Sequence, residues 1–362
     1  MTNNIVVGAG LSGATLARKL ADDEHNVLVI DKRNHIGGNV YDYIDEKTNI
    51  RLSKYGAHIF HTSNEDVWEF VNRFSEWLPY EHRVLSFVND KFVPVPVNIT
   101  TVNALFNLNI KNEDEMKQWL HNNQIKGDIK NSKDAALSRV GKELYELMFE
   151  NYTKKQWDVD PIELDASVLE RIPVRENFND KYFSDKYEAL PKNGYTEFVK
   201  NMLDHKNIEV RLNEEYDNKH HKSNRLFFTG KIDSYFSDRF GKLEYRSLEF
   251  DYETHEVKNY QPSAVVNYPS LEYPYTRKID YKKFYGTESD YSIIAKEYST
   301  NNGEEYYPMP TSKNKEIYSK YQKAAKELEK KNIYFIGRLA EYKYFNMDQA
   351  IHSALQLYNK LK

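Results

Sequence analysis

The chain has 362 residues, 40% hydrophobic and 29% charged, with a net charge of −4 and no cysteine. That is a globular chain with room for two or three domains; it excludes disulfides, thiolate metal sites and cysteine nucleophiles, and its charge gives no general attraction for nucleic acid or an anionic membrane. No apolar window of about 18 residues offers a membrane span, and the first strand begins too soon for a signal peptide, so a cytoplasmic location is expected.

The apolar run Asn4-Ile5-Val6-Val7 meets Gly8-Ala9-Gly10-Leu11-Ser12-Gly13, a helix follows, and a second apolar run, Val27 to Ile30, ends in Asp31. Strand, glycine turn, helix, strand and acid make up the Gly-x-Gly-x-x-Gly dinucleotide fingerprint. Gly8 turns the chain, Gly10 admits a pyrophosphate, and Gly13 lets the helix approach the strand. The helix N-terminus offers N–H groups to phosphate, and Asp31 suits a ribose hydroxyl. A glycine turn without a ligand leaves that acid unexplained. Gly37-Gly38-Asn39 follows closely, and a second glycine pair fits FAD, which runs on past the pyrophosphate.

His58 and His61 come next. On an extended segment their spacing predicts opposite faces, and no carboxylate cluster stands beside them, so no metal is expected. They read as neutral imidazoles near a cofactor or as core histidines. Ser63 to Asp66 carries a capping-box pattern ahead of apolar Val67, Phe70, Val71 and Phe74. Residues 84–97 read as two strands around Asn89-Asp90, closed by Pro94 and Pro96. Helical spacing over 112–122 and 134–156 predicts an inserted helical domain. Residues 158–186 lack clear periodicity and hold Arg171, Arg175 and Tyr182; such a stretch reads as a lid or binding loop.

A helix is predicted over 194–203, strands over 208–212 and 225–230, and an antiparallel sheet over 243–299. His220-His221 reads as solvent-facing. After an amphipathic helix over 313–331, Asn332 to Arg338 is a strand meeting a glycine, and Asn346 opens the last helix. Such an ending closes over a flavin ring in flavoproteins, its helix dipole facing the ring. The fold class is therefore mixed α/β. It combines a discontinuous Rossmann-like FAD domain (1–79, 190–240 and 325–362), a helical domain with a mobile loop (98–172), and an antiparallel sheet domain (80–97, 173–189 and 241–324).

These motifs, with Lys54 to Thr62, Tyr152 to Trp157, Arg171 to Arg175, Leu243 to Leu248, Pro274 to Arg277, Tyr306 to Pro308 and Gly337 to Tyr344, resemble the bacterial-type UDP-galactopyranose mutase family over the whole chain. The family interconverts UDP-galactopyranose and UDP-galactofuranose on reduced FAD with no net redox change. The resemblance implies that Arg171 and Arg277 hold the diphosphate, with Tyr182, Tyr307 and Tyr344 beside it. It implies uridine-side contacts at Tyr152 and Trp157, and a further substrate contact at Asn267. His58, His61 and Arg338 would lie near the flavin. The cofactor set is Gly8, Gly10, Ser12, Gly13, Asp31, Lys32, Gly38, Asn39, His58, Gly337, Arg338, Asn346 and Met347. Arg171, Arg277, His58 and His61 are the catalytic candidates. Where the family commonly reads Tyr-Lys-Tyr-Tyr-Asp-Met, this chain has Phe345 and Asn346 in the fourth and fifth places.

Ring contraction must expel UDP from C1, open the ring and close it on another hydroxyl. No cysteine is present and no glycosidase-like carboxylate pair stands out, so the expected nucleophile is N5 of the reduced flavin, through an N5–sugar adduct. Competing readings are an amine-oxidase-like FAD oxidoreductase, a flavin protein without catalysis, and a mutase preferring another UDP-sugar such as UDP-N-acetylgalactosamine. No nucleic-acid or membrane partner is expected, and a homodimer is compatible with the sequence.

Overall fold

A computed structural model describes residues 4–217 and 219–362. Its centre is a five-stranded parallel sheet in the order Ile208–Leu212, Val27–Asp31, Asn4–Val7, Arg225–Phe228 and Ile333–Phe335. Val27–Asp31 is buried at every residue, as a strand covered on both faces requires, which is why it reads as an unbroken apolar run. The helices Leu11–Asp22 and Met347–Leu361 pack together on one face, so both chain ends meet at the sheet. Ser12 Oγ adds a bond to the Ala350 carbonyl at 3.3 Å.

The second sheet has seven strands, ordered Tyr307–Pro308, Tyr245–His255, Ser292–Thr300, Arg277–Asp280, Val265–Asn267, Val84–Val88 and Lys91–Pro94. Its pairs are antiparallel, as expected, except that Val265–Asn267 runs parallel to Val84–Val88. These two strands are joined by a long excursion of the chain, so no hairpin imposes the antiparallel sense. Within 173–189, expected in this sheet domain, the strand residues 187–189 pair elsewhere. Tyr187–Pro191 runs between Phe60–Thr62 and Trp77–Pro79 in a three-stranded sheet.

The helical insert comprises Ile99–Phe106, Glu113–Asn123, Ser132–Leu144 and Asn151–Trp157, around a core that includes Val102, Met116, Leu120, Val140, Leu144 and Met148. Asn98, Asn112 and Asn131 each cap a helix, accepting from the N–H of Thr101, Glu115 and Asp134 at 2.9, 3.0 and 3.0 Å. The continuous helix expected over 134–156 is broken at Gly141, which has φ 77° and ψ 177°. A Cβ there would lie 2.3 Å from the Asn123 carbonyl oxygen, so the close crossing of two helices requires glycine. The chain then winds as a π-helix over Tyr145–Glu150 before the helix that carries Tyr152 and Trp157.

Residues 158–186 are less irregular than the sequence suggests. They hold a capped turn at Pro161–Glu163, a short helix at Ser167–Glu170, and a bridge from Val174 to Val97. His220 is exposed as expected. His221 is not: it bonds Glu214 at 2.6 Å and stacks on Tyr216.

Candidate functional site

Two loops build the first part of the site. The glycine turn and the Gly37-Gly38 loop meet where a Cβ on Gly38 would lie 3.0 Å from Gly10 Cα, and Gly38 has φ +56°. Asp31 ties both together, accepting from Ala9 N–H at 2.7 Å and from Arg33 N–H at 2.9 Å. Each carboxylate oxygen retains a lone pair for a ligand hydroxyl. Gly8, Gly10, Asp31, Lys32, Gly38 and Asn39 border a cavity of about 540 Å³. A smaller one of about 140 Å³ continues past Ser12, Gly13 and Gly337 to His58, Arg338, Asn346 and Met347. These last four also border a third cavity, of about 450 Å³. The path from Asp31 to the third cavity has the extended shape of a dinucleotide, and a glycine pair lies along it.

The third cavity gathers the remaining candidates. Tyr152, Trp157, Arg171, Tyr182, Asn267, Arg277, Tyr307 and Tyr344 line it, as do His58 and His61. The two histidines therefore share a cavity instead of facing apart. Only Phe60–Thr62 is strand, and residues 57–59 do not keep the alternation of an extended segment.

A tyrosine pair sits among the guanidinium groups. Tyr307 and Tyr344 stack at 5.1 Å and 19°. Arg171 lies 4.2 Å over the Tyr344 ring, with Nη2 3.4 Å from Asn346 Oδ1. Arg338 lies over both rings, at 5.4 and 5.7 Å, and its Nε donates to the Phe345 carbonyl at 3.1 Å. Arg277 is backed by Glu297, Nε to Oε1 2.9 Å, although the N–H does not point squarely at the oxygen. Flat cations stacked on aromatic faces present their N–H edges, a geometry suited to a diphosphate.

His58 Nδ1 lies 2.8 Å from the Gly56 carbonyl, which only accepts, so Nδ1 carries the hydrogen and Nε2 the lone pair. Burial, then the nearby Arg338 charge, hold its pKa down to about 4, against the opposing pull of the Gly56 carbonyl. Burial pushes the Tyr152 and Tyr182 hydroxyls up. Asn267 Oδ1 is buried without a partner, an acceptor left for a ligand. Among the described residues, no three His, Asp or Glu gather to hold a metal ion.

Two residues escaped sequence reasoning: His82, which lines this cavity, and Glu297, which backs Arg277. His82 is 5% exposed, with Nδ1 buried and unpartnered. Burial, then Arg277 and His61, take its pKa to about 3. Nothing in its local pattern marks it. Glu297 does carry a signal: it is an acid within the apolar strand Ser292–Thr300.

A family model described as UDP-galactopyranose mutase matches residues 147–344, and one described as an NAD(P)-binding Rossmann-like domain matches residues 6–74. The chain is 40% identical to a probable UDP-galactopyranose mutase of Klebsiella pneumoniae, across 98% of this chain and 93% of that protein. It is 39% identical to a dTDP-fucopyranose mutase of Escherichia coli, across 99% of each. Among solved structures, a reduced UDP-galactopyranose mutase aligns with a TM-score of 0.77 at 14% identity, covering 100% of this chain and 94% of that one; this likeness concerns the fold.

Proposed function

The chain belongs to the UDP-galactopyranose mutase family, and from that premise we propose that it interconverts UDP-galactopyranose and UDP-galactofuranose using reduced FAD. The observation that carries this reading is the placement of Arg171 and Arg277 on one cavity that joins the glycine-lined path at His58, Arg338, Asn346 and Met347. FAD fits that path: a Cβ on Gly38 would fill the cradle, and Asp31 keeps acceptor capacity at its far end. The holding residues would be the cofactor set from Gly8 to Met347 named above. Bound and reduced, the flavin would supply nucleophilic chemistry at C1 with no net change in the sugar's oxidation level.

The chain's own side chains do the rest. Arg171 and Arg277 pair with the diphosphate and stabilise its charge as UDP departs. The hydroxyls of Tyr182, Tyr307 and Tyr344 donate hydrogen bonds to phosphate oxygens. Tyr152 and Trp157 flank the uridine, and Asn267 accepts from a substrate hydroxyl. Neutral His58 presents Nε2 as an acceptor, and Arg338 sets a positive charge beside it. The 158–186 segment excludes water from the reacting sugar. The domain division given above is part of this proposal, as is a cytoplasmic location; no helix among the described residues is long and apolar enough to cross a membrane.

The dTDP-fucopyranose mutase relative supports a second reading, in which the same site takes a dTDP-linked deoxysugar. The test incubates dithionite-reduced protein with UDP-galactopyranose and, separately, with dTDP-fucopyranose, followed by product separation and O₂ monitoring. A furanose product without proportional consumption of reductant or O₂ supports the mutase reading. Oxidised sugar with O₂ uptake refutes it.

A further inference from the structure

One acid–imidazole pair borders the substrate cavity. His61, on the strand Phe60–Thr62, places Nδ1 2.8 Å from Asp185 Oδ2. The acid is held at its other oxygen, where Oδ1 accepts from Ser63 Oγ at 3.1 Å, and Ser63 Oγ accepts from the Lys186 N–H at 3.1 Å. Phe183 stacks on the imidazole face, with ring centroids 3.7 Å apart at 14°. The end of the substrate loop thus grips His61 by edge and by face. The other titratable groups facing it are Asp348, whose Oδ2 accepts from the adjacent Thr62 hydroxyl at 3.2 Å, and His82, whose ring centroid lies 5.8 Å from that of Phe183.

A carboxylate only accepts, so Nδ1 of neutral His61 carries the hydrogen and the lone pair lies on Nε2. Nε2 has no hydrogen-bond partner among the described residues, and His61 lines the cavity. Exchange of pyranose for furanose moves one proton between two sugar oxygens. The ring oxygen that leaves C1 takes up a proton and becomes a hydroxyl; the hydroxyl that closes on C1 gives one up. No net proton enters or leaves.

We propose that Asp185 is a positioning residue that fixes the tautomer and orientation of His61, so that Nε2 carries this proton between the two sugar oxygens. The proposal rests on the mutase reading above. Nε2 takes the proton of the hydroxyl that closes on C1 onto its lone pair and hands it to the ring oxygen released from C1, so the imidazole ends as it began. The Asp185 carboxylate faces the imidazolium while the proton resides on Nε2. The Ser63 bond keeps the carboxylate from turning away during the exchange.

The test uses the full chain with FAD bound. Histidine ¹⁵N NMR of the substrate-free protein is expected to show neutral His61 as the Nδ1–H tautomer, its signals assigned by their loss in His61→Gln. Asp185→Asn, which keeps the shape and removes the charge, is expected to change that tautomer signature and to lower kcat about a hundredfold, with KM nearly unmoved. Asp185→Glu is expected to recover about tenfold or more of the lost kcat, a rescue that a purely structural role would not produce. An Nε2–H tautomer in the parent protein overturns the proposal. So does an Asn variant that binds UDP and keeps kcat within about threefold of the parent. If the Asn variant does not fold, the parent's tautomer and the Glu variant decide. The NMR arm needs no turnover: a parent chain that isomerises neither nucleotide sugar defeats the mutase reading and the proton-carrying role, while the tautomer reports separately on the Asp185–His61 pairing.

Discussion

Replacing Glu297 by Gln removes the counter-charge of Arg277 without changing the volume behind it. The Glu297 side chain is 4% exposed and that of Arg277 25%, and Glu297 is the only ion-pair partner of Arg277 among the described residues. Breaking a buried pair at one end costs about 3–5 kcal/mol, because the remaining charge is left uncompensated. Arg277 opens by a quarter toward the cavity, where water screens it, so the cost falls below that range and we expect about 2–3 kcal/mol. For a chain of this size that corresponds to a fall of about 3–4 °C in unfolding temperature. The Thr276 hydroxyl, 3.3 Å from Glu297 Oε1, can still donate to the amide oxygen, so the loss reports charge rather than a broken side-chain network. Scanning calorimetry of FAD-loaded parent and variant measures it. If Arg277 holds the diphosphate as proposed, saturating UDP supplies the missing negative charge, and the gap between the two proteins is expected to narrow. Midpoints within about 1 °C of each other, or a gap that widens with UDP, refute the reasoning.

Burial holds His58 near pKa 4 and His82 near 3, both below the ordinary histidine value of 6.5, so both are neutral in the folded protein at pH 7. The unfolded chain binds their protons first: stability is full above about pH 6.5 and falls as pH drops toward 4, with each histidine adding a slope of up to about 1.4 kcal/mol per pH unit. His82→Asn flattens the decline of the urea midpoint between pH 7 and 4.5, and equal slopes would count against a buried neutral imidazole. Gly38→Ala forces a side chain into φ +56° and against Gly10, and should weaken FAD binding by about 1–2 kcal/mol in a fluorescence titration; unchanged affinity removes Gly38 from the cradle. Asn346→Asp puts a carboxylate beside Arg171 Nη2, and turnover is expected to stay within about tenfold of the parent, since a hydrogen bond is all the site needs there. Arg171→Ala should depress turnover and UDP-induced quenching of Trp157 while leaving the flavin absorbance alone; normal turnover would take Arg171 out of the site.

Local patterns made much of this fold readable. The glycine turn, the buried run ending in Asp31 and the closing strand, glycine and helix each advertise themselves within about a dozen residues. What stayed hidden depends on distant segments. Gly141 reads as an ordinary helix residue until Asn123 crosses it. The parallel pairing of Val265–Asn267 with Val84–Val88 has no local signature. His82 becomes notable only when Phe183, His61 and Arg277 surround it, all from other parts of the chain. His58 and His61 looked opposed because their spacing was read as strand, whereas the chain bends before Phe60. The loop over 158–186 looked structureless because its turns are too short to show periodicity.

The parallel sheet has a consequence for how the protein comes into being. Its central strand, Asn4–Val7, leaves the ribosome well over 300 residues ahead of Ile333–Phe335 and the helix Met347–Leu361. At about 5–20 residues per second, translation separates these events by roughly 20–70 seconds. During that interval the glycine turn exists without the Gly337 to Met347 wall, and the nascent Leu11–Asp22 helix exposes the apolar face that the last helix will cover. On the proposed reading, tight retention of FAD must therefore await synthesis of the Gly337 to Met347 wall. Yellow colour in a preparation would then mark polypeptides in which the Leu11–Asp22 and Met347–Leu361 helices have found each other, and chains stalled or clipped before Gly337 should emerge colourless.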